Sequence, residues 1–111
     1  MTTQDRRAAL TAYKERKVEA GIYALRCTAT DQLWIGRAPD LATIQNRLWF
    51  TLRQGANPHR ALQEAWHQHG AQAFTFEVVE RLKQDDLRFG RDHALKKRLA
   101  HWVEAWGGMA I

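Results

Sequence analysis

The tripeptide Gly21-Ile22-Tyr23 is answered by Trp34-Ile35-Gly36, with ten residues between the two aromatic rings. Each half is a short apolar run with an aromatic close to a glycine, and Thr30-Asp31 supplies turn chemistry between them. The pattern predicts one hairpin, with strands over about 21–28 and 32–37. It presents two rings and two positions where other atoms can come close to the backbone. Leu33 and Ile35 fall on one face of the return strand and Trp34 on the other.

The remaining punctuation extends the hairpin into an α+β domain. Asp5 caps a basic helix running to about Val18, so residues 1–19 read as an added N-terminal helix and 20–111 as the main domain. Pro39-Asp40 breaks the second strand, Asp40 caps a helix from Leu41 to about Gln54, and Gly55 ends it. Asn57 and Pro58 suit the N-cap and first position of the next helix, which Gly70 terminates. Phe74 to Leu82 alternates as a third strand, with Phe74, Phe76 and Val78 pointing one way and Val79 breaking the alternation. A last helix runs from about Asp92 to Trp106, closed by Gly107-Gly108. The expected sheet is small, three-stranded and antiparallel, flanked by helices.

Length and composition bound the function. A chain of 111 residues, 45% hydrophobic with five tryptophans, holds one domain with one modest core. No apolar run nears the ~20 residues of a membrane span, and the polar, basic start is no secretory signal. A lone Cys27 makes no internal disulfide, and the reading is a cytoplasmic protein with a buried thiol. Net charge is +5 with pI near 9.9, which suits a DNA or RNA partner. That excess is uneven. Residues 1–19 are net +2, 20–80 net zero and 81–111 net +3. A phosphate-binding surface is therefore expected from the terminal helices more than from the hairpin.

These elements and motifs resemble the GIY-YIG nucleases over roughly residues 20–106. The resemblance rests on the two tripeptides and on Asn57-Pro58-His59, Leu62-Gln63, Trp66, His69-Gly70, Phe74 and Phe76-Glu77-Val78. It extends to compact GIY-YIG-like proteins related to domains of LuxR-type transcriptional regulators. The resemblance implies phosphodiester cleavage by a tyrosine pair, a helix arginine and a glutamate that holds one divalent metal. Tyr23 matches the first tyrosine. Trp34 replaces the second, and an indole stacks and donates but does not exchange a proton as a phenol does. The arginine position, eight residues after Gly36, holds Ile44, and Leu48 follows where a histidine is common. Arg47 stands three positions on, rotated about 60° and displaced about 4.5 Å along the axis. The glutamate position falls on Leu99 if Trp102 is the family's tryptophan, or on Val103 if Trp106 is.

The expectation is a GIY-YIG-like domain that has lost metal-dependent cleavage and serves binding or regulation. Trp34, Arg37, Asn46, Arg47 and Asn57 are its candidate nucleic-acid contacts. No metal site and no cofactor are expected. The alternative is an active endonuclease with Tyr23 as base, Arg47 as clamp and Mg²⁺ or Mn²⁺ as cofactor. The apolar stripe Leu41, Ile44, Leu48 and Leu52 either packs on the sheet or forms an apolar cleft. Such a cleft could be covered by the N-terminal helix through Leu10 and Tyr13, by a protein partner or by a second copy. Trp49, Trp66, Trp102 and Trp106 read as core.

Overall fold

The computed structural model describes residues 18–83 and 89–111, so the expected N-terminal helix lies outside the described residues. Strand β1 (Gly21–Cys27) pairs antiparallel with β2 (Leu33–Ala38), and β1 pairs antiparallel with β3 (Phe74–Arg81). The turn between β1 and β2 is pinned by the Cys27 carbonyl, which accepts from the amides of Thr30 and Asp31. Asp31 takes φ 60°, a left-handed conformation that Asp tolerates. A short fourth strand, β4 (Met109–Ala110), runs parallel to β2 and gives the order β3-β1-β2-β4. The sheet is therefore four-stranded and mixed, where the sequence pattern indicated three antiparallel strands.

Helix α1 (Leu41–Gln54) has the expected limits. The Asp40 carboxylate accepts from the Ala42 amide at 3.0 Å, and Gly55 closes the helix in the left-handed conformation. Helix α2 (Arg60–His69) begins later than the Asn57-Pro58 pattern indicated. The Asn57 carbonyl oxygen (Oδ1) accepts from the His59 amide at 2.9 Å, which holds residues 57–59 as a turn and not as the first helical residues. A 3-10 turn (Ala71–Ala73) leads into β3, and α3 (Arg91–Trp106) follows.

Strand alternation sends side chains to two apolar clusters, one on each face of the sheet. Tyr23, Leu25, Cys27, Trp34 and Ala38 pack with Leu41, Leu48 and Leu52 of α1 and with Leu62, Ala65 and Trp66 of α2. Ile22, Ala24 and Ile35 pack on the other face with Leu95, Leu99, Trp102 and Val103 of α3. Both faces are covered by helix, which explains why β1 is buried at every position except Arg26.

One irregularity sets which way β3 faces. Tyr23 pairs with Val78, yet Ile22 pairs with Glu80, so Val79 is an extra residue in a β-bulge. Glu80 consequently lies on the α3 face. There the Arg98 guanidinium (Nε) donates to its carboxylate at 2.7 Å and the Trp102 indole at 3.0 Å.

Candidate functional site

Tyr23 is centred on the first face, and the two glycines of the sequence doublet explain its position. Gly36 lies directly across from it on β2, and a Cβ there would collide with the Tyr23 ring and hydroxyl. The ring thus lies over the neighbouring strand, stacked on Phe76 with centroids 5.5 Å apart. At Gly21 a Cβ would meet the Glu80 carbonyl oxygen and the end of Leu41. Both glycines are needed for space, as the close-approach reading of the sequence implied.

The Tyr23 ring forms part of a cleft of about 350 Å³ between the sheet, α1 and the α1–α2 connection. Ile44 and Leu48 of α1, Pro39, Pro58 and Ile111 give it apolar walls. Arg47 and His59 are its ionisable side chains besides the phenol, and Thr51 and Asn57 complete it. Both readings of the apolar stripe therefore hold: Leu41, Leu48 and Leu52 are buried, while Ile44 is half-buried in the cleft wall.

Burial pushes the Tyr23 hydroxyl up to about 12, because desolvation disfavours the phenolate. Among the described residues no hydrogen-bond partner meets that hydroxyl. No buried side-chain polar atom of the described residues is left unpaired, so the oxygen opens toward the cleft. Arg47 is exposed at the rim and makes no ion pair among the described residues. The polar groups on the other side are already engaged. Asn57 donates from Nδ2 to the Thr51 hydroxyl at 3.0 Å, and that hydroxyl donates to the Leu48 carbonyl at 2.9 Å.

A divalent cation of the kind the sequence resemblance implies needs oxygen ligands, with carboxylates foremost. This lining has no acidic side chain, and its hydroxyl and amide are committed elsewhere, so the described residues do not fit Mg²⁺ or Mn²⁺. Leu99 and Val103, which stand where the resemblance puts a glutamate, pack on the opposite face from Tyr23.

The structure brings Tyr23, Arg47 and Asn57 together and separates them from the other candidates. Trp34 is 1% exposed and tilted against Phe74 at 6.0 Å, so it is a core residue with no face open to a base. Asn57 is held at both ends of its amide, and its role in the fold is to fasten α1 to α2. Asn46 is exposed on α1 and does not line the cleft. Arg37 is exposed on the α3 face, where it shares a concavity with Asp92, His93 and Lys96. Trp106, read as core, is 40% exposed and lines a separate hollow with Arg26, Gln32 and Met109. Ile111 was not singled out from the sequence, and His59 was named only within the Asn57-Pro58-His59 motif and not as a site residue. The apolar run after Gly107-Gly108 was the available signal for Ile111, whose amide donates to the Ile35 carbonyl at 2.9 Å.

The fold is similar to that of the GIY-YIG catalytic domain of homing endonuclease I-TevI. One solved structure of that domain aligns with a TM-score of 0.70 and 21% identity, covering 83% of this chain and 97% of that one. A mutant form of the catalytic domain of intron endonuclease I-TevI aligns with a TM-score of 0.69 and 20% identity, covering 80% and 84%. At these identities the likeness is one of fold. No family model and no curated protein matches the sequence.

Proposed function

We propose that this GIY-YIG nuclease-like domain binds nucleic acid without cutting it. The observation that carries the reading is the lining of the Tyr23 cleft. Its phenol stays protonated far above neutral pH, it has one guanidinium, and it has no acidic side chain among the described residues. In-line displacement at phosphorus needs a base and a Lewis acid around the reacting atoms. The cleft has one imidazole, His59, that can act as a base, but no acidic side chain to hold a Lewis acid.

Support for a nucleic-acid partner comes from the nuclease-like fold and from the placement of charge. Arg91, Lys96 and Lys97 are exposed on α3, and Arg37 of β2 joins the same face. At the far end of α3, Trp106 offers an open ring beside Arg26. Cations along a helix with an aromatic at one end suit a phosphate backbone and an unstacked base. The test is electrophoretic mobility of single- and double-stranded DNA and RNA against rising salt. Binding should weaken steeply as counterions compete, and absence of a shift at low salt would remove nucleic acid as the partner.

A second reading is an active endonuclease, favoured by Tyr23 and Arg47 lining the same cleft. Incubation of the pure protein with plasmid and Mg²⁺ or Mn²⁺ separates the two. Cleavage that disappears in Tyr23→Phe would replace the binding reading with this one.

A further inference from the structure

The Tyr23 cleft has the chemistry of a ligand pocket in its own right. Its volume of about 350 Å³ falls within the range of small-molecule sites, roughly 300–1,000 Å³. Aliphatic walls from Ile44, Leu48 and Ile111 offer a bound polar sugar nothing to hydrogen-bond, so a nucleotide would lose hydration there without replacement. Two residues that can donate line the same space. The Arg47 guanidinium has no ion pair and the Tyr23 hydroxyl no acceptor among the described residues. No acidic side chain in the lining repels an anion. An apolar body with one anionic end matches all of these features.

We infer that the cleft binds a small amphipathic carboxylate, with a flat or branched hydrocarbon body against Ile44, Leu48 and Ile111. Its carboxylate accepts from the Arg47 guanidinium and the Tyr23 hydroxyl. A guanidinium bonds a carboxylate through two parallel donors, which gives the anion a preferred orientation at the rim. The inference stands apart from the nucleic-acid reading, whose cations lie on the opposite face of the sheet.

The test uses the full chain with 2-naphthoate as probe and 2-naphthamide as its neutral counterpart, by calorimetry and by two-dimensional NMR. The expected result is saturable binding of naphthoate at least tenfold tighter than the amide, with shifts at the methyls of Ile44, Leu48 and Ile111. Arg47→Gln, at an exposed position, should abolish the tenfold preference and keep the spectrum folded. Ile44→Glu, which adds a like charge to the wall, should eliminate naphthoate binding. No saturable binding, shifts confined to the Trp106 hollow, or a preference that survives Arg47→Gln would each overturn the inference. So would a dimer in sedimentation that Ile44→Glu dissociates while naphthoate fails to bind, since the occupant would then be a second copy.

Discussion

The Tyr23 phenol is 4% exposed, its ionisation is pushed up to about 12, and its oxygen touches no partner among the described residues. Two outcomes follow at this residue. Below about pH 10 the folded and unfolded chains both keep the proton, and the phenol adds no pH dependence. Between about pH 10 and 12 the unfolded chain ionises first, so stability falls as pH rises, by roughly 2–3 kcal/mol across the window. Urea unfolding near both ends should show this loss in the native protein and not in Tyr23→Phe. At neutral pH the same variant should be nearly as stable as the native chain, because no hydrogen bond is removed. Gly36→Ala should cost about 1–3 kcal/mol by forcing the Tyr23 ring from its place. An unchanged melting temperature would show that the ring moves freely. The spatial role of these glycines was readable from a sequence that sets each one close to an aromatic. The burial of Trp34 was not. Alternation correctly set it opposite Leu33 and Ile35, but one strand cannot reveal that helices cover both faces.

Element limits follow the same division between local and distant causes. The bounds of α1 were legible because Asp40 and Gly55 act through their own neighbours. The start of α2 was not, because the Asn57 side chain serves a turn and also reaches back to Thr51. Strand β4 has two residues and becomes a strand only by pairing with β2, which no local pattern announces. The loss of alternation at Val79, by contrast, was visible in the sequence and marks the bulge. At this scale Asn57→Ala should destabilise the α1–α2 connection by about 1–2 kcal/mol through the lost bonds to Thr51 and His59. Hydrogen exchange should quicken first in the last turn of α1 and the first turn of α2. Uniform loss of protection across the sheet would count against a local role. The Gln63 side chain supports the same joint, accepting from the Asn57 amide at 3.1 Å and donating to the Leu52 carbonyl at 3.0 Å.

Across the whole molecule, the sequence foretold where positive charge would collect but not that Arg37 and Arg47 would lie on opposite sides of the sheet. They are ten positions apart, and only the turn from β2 into α1 decides their separation. If the α3 face carries the phosphate contacts, the double variant Lys96→Gln, Lys97→Gln should lower the slope of log affinity against log salt by about 2. Arg47→Gln should leave that slope unchanged, and equal effects would mean that the polymer wraps both sides. The bulge at Val79 has a consequence for this sidedness. Had β3 kept all its residues in regular alternation, with Val79 opposite Ile22, parity would have turned Glu80 toward the face that carries the tyrosine. Removing Val79 would leave Glu80 opposite Ile22 and still on the α3 face, so only closing up the bulge with every residue retained would bring a negative group to the phenol's side.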